Sequence, residues 1–525
     1  MKRLQRLISI ARADFRQRFR NRTLLAVPVL IAYLGHLITG EGVTFVVGSY
    51  TGAATAAWFA GVTALAGTAL LVIFGFYLVT GTIERDRRTG VGALVATTPI
   101  RDSTYVFGKW LSHVALLAVL VGTLVLATLG TFLLRGSGPL ALWPVVSPFL
   151  LVTLPAMTLV GAVAVLFETI RPLRATAGKV AYFVLAMTAF AMASAGILPG
   201  AMDPFGFGLI RESMVSSLVA QTPETTSPQT FAFTNMEATA GTFRWPGITW
   251  TFWQVGERLT LVVLATILVT AAGMAFDRFA PVTAETSDTA DRSDRFPTMD
   301  TPSVDVPSPA TPGPAAAILS VSPQLPTALR HGWFQLLLGE LRLSLRGRHR
   351  WWYAGAGILI VAGAIVDANT ATEAILPLAW LLPLPIWADL GVRERRDRTA
   401  PLVFTSRWPL GQLGFAWLTG LLVALLLGGG VGVRLLVAGA GTSLLSLLIG
   451  VAFVPSLAVG LGSLTGTTRA FEAAYLFLWY VGPIEGARPF DFTATVGTGY
   501  WLVYVAGTFA LMGIGFGIRQ RFLRR

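Results

Sequence analysis

Residues 81–111 read GTIERDRRTGVGALVATTPIRDSTYVFGKWL, a stretch in which acids alternate with arginines between two apolar runs. Glu84, Arg85, Arg87 and Arg88 are close enough in sequence to form ion pairs along one face of a helix. Carboxylate and guanidinium groups in this arrangement can bind a charged partner surface. They do not pair a nucleophile with a base, so the spacing favours docking over catalysis.

The same stretch contains residues that break a helix. Gly90 and Pro99 interrupt the helical pattern, which predicts a short helical hairpin at 84–109. A loop that only connects two membrane spans needs about six polar residues. The greater length and the mixed apolar and charged character indicate a surface with a further task.

A second copy of the charged motif occurs later in the chain. ERRDRT at 394–399 repeats ERDRRT at 84–89, and this register aligns Arg395 with Arg85. Recurrence of nearly the same loop favours two docking surfaces. The alternative is that both loops are topology signals, since basic residues collect on the cytoplasmic side of membrane proteins.

No metal or catalytic constellation is visible elsewhere in the sequence. Cysteine is absent, which excludes disulfides and thiol catalysis. The sequence also lacks G-x-x-x-x-G-K-[ST], so we expect neither a P-loop nor enzymatic activity in this chain. The histidines lie in basic segments or near predicted span ends, where interfacial roles are expected: His36, His113, His331 and His349.

The composition is that of a membrane protein. Hydrophobic residues make up 54% of the chain and charged residues 13%, whereas soluble domains contain about 25% charged residues. We therefore predict an all-α integral membrane fold with about 12 transmembrane helices. The predicted spans lie near 23–40, 57–80, 111–134, 144–166, 180–198, 257–276, 351–367, 372–389, 410–433, 441–464, 470–484 and 498–518.

The basic residues indicate the orientation. The formal net charge is +13, and most Lys and Arg residues fall in alternate predicted loops. This bias predicts a multi-pass protein of the cytoplasmic membrane with both termini in the cytoplasm. Because the charge follows the membrane loops, the lipid bilayer rather than nucleic acid is the expected partner.

A segment rich in proline, serine and threonine divides the chain. Residues 277–328 contain few aromatic residues and predict a disordered cytoplasmic linker. It separates a first half, 1–276, from a second half, 329–525, which we predict to be parallel six-helix repeats. An outside insert at 199–256 occurs in the first half only. It is interpreted either as a lid on the outer leaflet or as a gate.

Each half begins with a basic amphipathic segment, predicted to be helical at 3–22 and 332–350. Apolar residues recur at helical spacing with arginines opposite them, which is typical of a helix lying in the membrane interface. Such a helix can anchor the chain to lipid, and it can also contact a cytoplasmic partner. The charged residues that align between the two copies are Asp14 with Glu340, Arg16 with Arg342, and Arg20 with Arg346.

Together these features resemble the membrane subunit of ABC-2-type exporters. The resemblance is carried by the elbow helix, the two spans that follow and ERDRRTGVGALVATTPIRDSTYVFGK, with its acid–base pair, Gly, Leu, Thr-Pro and closing Gly-Lys. In that family this loop is the coupling helix, which rests on the ATP-hydrolysing subunit. The second copy is degenerate, with Ala400 in place of the glycine. The coupling residues implied are Glu84, Arg85, Arg87, Arg88, Gly90, Pro99, Arg101 and Lys109, and in the second loop Glu394, Arg395, Arg398 and Pro409.

The resemblance implies a permease with both halves fused in one chain. Two copies of a separate P-loop ATPase would bind ATP and Mg and drive export, and reversing charge at Glu84 and Arg85 would uncouple hydrolysis from transport. The scarcity of ionisable residues within the spans favours an apolar or amphipathic substrate.

Two other interpretations stay open. A major-facilitator-like secondary transporter also has six plus six spans and a charged loop after the second span. A non-transporting membrane anchor or regulatory subunit of an ATPase complex can share the same sequence features.

Overall fold

The computed structural model describes residues 2–19, 44–174, 176–223, 230–234, 239–276, 279, 332–346, 348–397, 399–405, 408–484, 490–493 and 500–524. Within these ranges, 8 helices are long and apolar enough to cross a membrane. This confirms a predominantly α-helical, membrane-embedded protein. The predicted span at 23–40 and, apart from Phe279, the predicted linker at 277–328 lie outside the described residues.

The first half contains five of these membrane-length helices at the positions of predicted spans, although the helix Asp102–Arg135 begins nine residues before the predicted start at 111. The helix α6 (Leu142–Thr169) includes a π turn at Phe149–Thr153. Short 3-10 turns lie at Arg171–Leu173 and Gly200–Met202. In chain order the helices are α1 (Lys2–Phe19), α2 (Ala56–Val79), α3 (Thr82–Arg88), α4 (Val91–Thr97), α5 (Asp102–Arg135), α6 (Leu142–Thr169), α7 (Thr176–Ser194), α8 (Phe207–Gln221) and α9 (Phe252–Ala275).

α2 forms the centre of the first bundle. It is apolar around its whole circumference, and 72% of the residues in its most hydrophobic stretch are buried. Glycines let its neighbours approach closely: a Cβ at Gly61 would lie 2.2 Å from the Trp245 ring, and one at Gly67 would lie 2.6 Å from Leu124. Small residues of this kind allow tight helix packing where lipid provides no hydrophobic drive.

A small sheet adds a β element to the expected all-α fold. Its strands are β1 (Thr44–Val47), β2 (Tyr50–Gly52), β3 (Phe231–Thr234) and β4 (Gly241–Phe243), in the spatial order β3-β1-β2-β4. β1 pairs antiparallel with β2 and β3, and β2 pairs parallel with β4. Strands of the predicted outside insert therefore pair with strands of residues 44–52, and together they cover the N-terminal end of α2.

The sheet is fixed to the bundle by aromatic packing. The ring centroids of Trp58 and Phe243 are 5.6 Å apart, and those of Phe45 and Trp58 are 5.9 Å apart. Below the sheet, buried Arg258 donates to the Asp203 carbonyl at 2.7 Å. These contacts make the insert a packed cap on the first bundle.

The second half contains three membrane-length helices: α16 (Gly411–Val437), α17 (Gly441–Thr465) and α19 (Trp501–Leu523). Its first predicted span is a 16-residue apolar helix, about 24 Å long against a hydrocarbon core of about 30 Å. The last-but-one span is a 12-residue helix that continues into a π turn at Tyr480–Ile484. The helices are α10 (Gly332–Leu345), α11 (Arg350–Ile365), α12 (368–381), α13 (Leu384–Trp387), α14 (Arg393–Arg396), α15 (Ala400–Phe404), α16 (Gly411–Val437), α17 (Gly441–Thr465), α18 (Thr468–Trp479) and α19 (Trp501–Leu523).

The predicted span at 372–389 is a broken helix. α12 contains a π turn at Ala371–Ile375, and the chain kinks before Pro383, because proline lacks the amide hydrogen that a helix needs. Side chains of α18 supply donors to its carbonyls: Trp479 Nε1 donates to Pro377 O at 2.8 Å, and the Tyr475 hydroxyl donates to Trp380 O at 2.9 Å. Irregular backbone at membrane depth is thus stabilised from within the protein.

The boundaries of the elbow segments also differ from the prediction. The second elbow, predicted as one helix at 332–350, consists of α10, a break, and α11 beginning at Arg350. α1 ends at Phe19, and the residues after it lie outside the described part of the chain.

The absence of cysteine makes the orientation directly measurable. We expect single cysteines at exposed Ser216 and Ala438 to react with a membrane-impermeant maleimide on intact cells. Cysteines at exposed Arg88 and Thr467 should react only after permeabilisation. Labelling of all four on intact cells would contradict the predicted spans, and the cysteine-free parent is the background control.

Candidate functional site

The charged stretch forms a two-helix hairpin at the end of α2 opposite the sheet. We call α3 and α4 (82–97) the first hairpin. Gly81 precedes α3 with φ 81° and Gly90 joins the two helices with φ 79°. Both angles are left-handed and favour glycine. A Cβ at Gly90 would meet no atom within 4 Å, so backbone conformation rather than space selects glycine there.

A buried carboxylate ties the first hairpin to the elbow helix. Asp14 of α1 is 4% exposed. Its Oδ1 accepts from Arg85 Nη2 at 2.6 Å and from Lys109 Nζ at 2.8 Å. Its Oδ2 accepts from Ser112 Oγ at 2.7 Å and lies 2.9 Å from Arg18 Nε. We call these five residues the Asp14 cluster.

The electrostatics of the cluster keep Asp14 ionised. Burial alone would raise the pKa of Asp14, but the charges of Arg18 and Lys109 and the hydrogen bonds from Lys109 and Ser112 outweigh it. The pKa of Asp14 is therefore held well below its ordinary value. Lys109 is shared with a second carboxylate, since its Nζ lies 2.6 Å from Asp86 Oδ2.

The closing Gly-Lys of the motif has a clear structural role. A Cβ at Gly108 would lie 2.8 Å from Ile10 Cγ2, so the glycine allows α1 to lie close against α5. This approach brings Lys109, one residue later, within reach of Asp14. The cluster thereby joins the elbow helix, the first hairpin and the 34-residue helix α5.

The first hairpin is also supported from the bundle side. The Glu168 carboxylate, at the end of α6, accepts from the Ile83 amide at 2.7 Å and from the Gly81 amide. The Phe279 ring lies 5.9 Å from the Arg87 guanidinium and occupies the space beside Gly92. The hairpin is therefore held from the bundle side by Glu168 and Phe279.

The opposite face of the first hairpin is exposed. Arg88 Nε donates to Glu84 Oε1 at 2.7 Å, and Arg87 Nη1 lies 3.9 Å from Glu84 Oε2. Beside this charged rim, Leu94 is 68% exposed and Val91 is 41% exposed. An apolar tip bordered by charge is a chemistry suited to docking a protein.

The second loop makes corresponding contacts with different residues. Glu340 of α10 pairs with Arg393 at 2.9 Å and accepts from Gln412 Nε2 at 3.2 Å. The sequence register aligns Arg395 with Arg85, but in the structure Arg393 is the residue that meets the elbow acid. Arg395 instead donates to the Ser463 carbonyl at 3.0 Å.

The end of α19 holds the second loop. Glu394 pairs with Arg519 at 2.8 Å, and the Arg395 guanidinium lies 4.5 Å from the Phe522 ring. Leu390, Phe404 and Arg519 line a cavity there with Glu394 and Arg395; its volume, about 30 Å³, suits a few water molecules.

Four of the predicted site arginines, Arg16, Arg101, Arg342 and Arg346, form no ion pair with another described residue. These four arginines and Pro99 are exposed. Pro409 lies in the turn before α16, and Arg20 and Arg398 lie outside the described residues.

The sequence reasoning missed a group of charged residues between the two halves, of which Glu472 is fully buried. Lys179 Nζ of α7 lies 2.6 Å from Glu472 Oε2 of α18, and the Glu472 side chain is fully buried. The Arg469 guanidinium lies directly over Gly81, where a Cβ would be 1.8 Å away. These residues stand near span ends in sequence, and only three-dimensional packing brings them together.

Metal chemistry receives no support from the described residues, which contain no group of three or more His, Cys, Asp or Glu side chains that could hold an ion. His113 is buried, with Nε2 3.3 Å from Thr82 Oγ1, rather than interfacial. His349 accepts from the Trp351 amide at 3.4 Å at the start of α11. His36 and His331 lie outside the described residues.

Replacing Asp14 with asparagine tests the cluster. The Asp14→Asn variant leaves buried Arg18 without its carboxylate and buried Lys109 with Asp86 alone, which should lower the free energy of unfolding by about 3–5 kcal/mol. Because the folded-state pKa of Asp14 is depressed, its stabilisation should be present above about pH 4 and lost as the pH falls further. Thermal unfolding in detergent measures both effects.

The matched control is Glu84→Gln, which removes a carboxylate from an exposed i,i+4 pair and should cost less than about 1 kcal/mol. Equal losses in the two variants would show that Asp14 is not a structural centre.

Comparison with known proteins does not assign the chain to a family. No protein-family model matches it, and no curated protein matches it. Its function is therefore inferred from the first hairpin, the Asp14 cluster and the charges between the halves.

Proposed function

We propose that the chain is the membrane subunit of an ATP-driven export system of the ABC-2 type, with both permease halves in one polypeptide. The observation that carries the proposal is the Asp14 cluster beneath an exposed docking tip. A force applied at Leu94 would reach α5 through Arg85, Asp14 and Lys109 rather than being lost in a mobile loop. Such a rigid connection is what coupling to an external motor requires.

The proposed partner is a separate P-loop ATPase, two copies of which would bind ATP and Mg at the cytoplasmic face. The chain itself lacks a P-loop sequence, so the proposed energy source is the partner. Charged rim residues Glu84 and Arg88 would set the orientation of docking, and Val91 and Leu94 would supply apolar contact area.

Recurring contacts support the proposed six-plus-six repeat. The elbow acid meets an arginine of the following loop in each half, as Asp14–Arg85 and Glu340–Arg393. Arg87 lies over Phe279, and Arg395 lies over Phe522. The same number of residues separates Arg85 from Arg393 and Arg87 from Arg395. Under this proposal the helices α11, α12 and α18 are shortened or broken counterparts of full spans.

The proposed passage lies between the halves and is lined by apolar and aromatic side chains. The ring centroids of Phe74 and Phe477 are 5.6 Å apart, and those of Phe183 and Trp479 are 6.2 Å apart. An apolar or amphipathic substrate fits such a lining better than an ion or a sugar does. The capped insert at 199–256 would then stand at the exit side.

Affinity purification of the tagged chain from its native membranes, in a gentle detergent, tests the class. We expect a P-loop ATPase to co-purify at about two copies per chain, because two loops face the cytoplasm under this proposal. A tagged unrelated membrane protein is the control. Reproducible absence of any ATPase from an intact preparation would favour a secondary transporter. An ATPase without substrate movement in vesicles would favour a regulatory subunit.

The tip of the first hairpin allows a sharper test. The Leu94→Asp variant places a charge on the exposed apolar tip, so ATPase co-purification and transport should fall at least about tenfold. Its stability should change by less than about 0.5 kcal/mol, because Leu94 is largely exposed. Leu94→Met, which keeps volume and apolar character, is the matched control and should behave as the parent.

Charge reversal at Arg85 is not a clean test of docking. Arg85 belongs to the Asp14 cluster, so Arg85→Glu would place two acids together and destabilise the fold. A reciprocal exchange at Glu84 and Arg88 alters the exposed rim alone and is the suitable replacement.

A further inference from the structure

The two halves meet through an ion pair whose glutamate is fully buried. Lys179 lies in the first turn of α7, and its Nζ is 2.6 Å from Glu472 Oε2 in α18. Lys179 also donates to Thr468 Oγ1 at 3.3 Å, and Thr176 Oγ1 donates to Glu472 Oε1 at 3.4 Å. Four residues from two different halves therefore form one polar contact.

Lys179 and Glu472 hold corresponding positions. Tyr182, three residues after Lys179, donates its hydroxyl to the Val72 carbonyl of α2. Tyr475, three residues after Glu472, donates its hydroxyl to the Trp380 carbonyl of α12. The separation of Val72 from Trp380 along the chain equals that of Arg85 from Arg393. Each tyrosine thus marks the same place in its own half.

Corresponding residues can touch each other only at the axis that relates the two halves. In a dimer of identical subunits, a residue on the two-fold axis meets its own copy. A lysine would then face a lysine, and a glutamate would face a glutamate, which is unfavourable in a buried site. A fused chain escapes this constraint, because its two copies can differ.

We propose that the Lys179–Glu472 pair is the gate that closes the cytoplasmic end of the passage between the halves. This inference rests on the proposed function, in which the halves separate at that end to admit substrate. The pair is shielded from water in the closed arrangement and must break when α7 and α18 move apart. Phe477, five residues after Glu472 in α18, contacts Phe74 of α2, and this contact closes the same interface.

The absence of native cysteine permits a direct readout of opening. Ala473 is half-buried and lies one turn before Phe477, so a cysteine there reports separation of α18 from α2. The measurement is the rate at which Ala473→Cys reacts with a maleimide in membrane vesicles. It needs neither ATP nor the partner.

Four backgrounds carry the test. Lys179→Glu places two acids at the axis and Glu472→Lys places two bases there, and each should raise the labelling rate by about tenfold or more. The double exchange, Lys179→Glu with Glu472→Lys, should return the rate to near that of the parent. Arg524→Glu, which reverses an exposed charge outside this contact, should leave the rate unchanged.

Each outcome decides the proposal. Parent-like labelling in both single variants, or failure of the exchange to restore slow labelling, would overturn the gate. If a single variant does not fold, the exchange variant and the other single variant still give the comparison. Restored slow labelling together with absence of an ATPase partner would uphold the gate and refute the ABC-2 assignment. If an ATPase partner co-purifies but the exchange variant does not restore slow labelling, the gate is refuted and the ABC-2 assignment stands.

Discussion

The carboxylate of Asp14 is the constraint around which the hairpin end of the first half is arranged. An ionised group so deeply buried is stable only when cations and hydrogen bonds replace the lost water. Arg85, Lys109 and Ser112 provide those partners from two other elements. The requirement to satisfy one charge thus fixes the relative positions of α1, α3 and α5.

The same requirement explains the other buried polar contacts. Glu168 is buried because it accepts from the amides that precede and begin α3. The irregular α12 persists because Tyr475 and Trp479 donate to its carbonyls. The polar groups that stabilise the fold therefore cluster at the junctions between helices, while the lipid-facing surfaces stay apolar.

The sequence predicted those elements whose signal is local. The apolar run at 57–80 has clear ends, and the structure places α2 at Ala56–Val79. Gly90 and Pro99 predicted the break in the hairpin, because glycine permits the left-handed backbone of a tight turn and proline fixes φ and lacks an amide hydrogen. Short strands were not predictable, since β1 spans four residues and pairs with a segment far along the chain.

Contacts made by packing were also outside the reach of local patterns. The sequence places Asp14 among the charged residues of the elbow helix, but its burial depends on Gly108 letting α5 approach. The match of ERDRRT with ERRDRT aligns Arg395 with Arg85, whereas the arginine that contacts Glu340 is Arg393. A motif of alternating acids and bases can be aligned in several registers, and only the elbow acid distinguishes them.

The two loops differ in what holds them, and under the proposed function this asymmetry follows from joining two permease halves in one chain. Asp14 faces a lysine, whereas Glu340 faces a glutamine, so the second cluster carries less charge. The second loop compensates through Arg519 and Phe522 at the end of α19. Identical subunits cannot divide tasks in this way, because any substitution appears on both sides of the axis. Under the proposed function, fusion removes that restriction at the loops, and it permits Lys179 to meet Glu472 where the two halves touch.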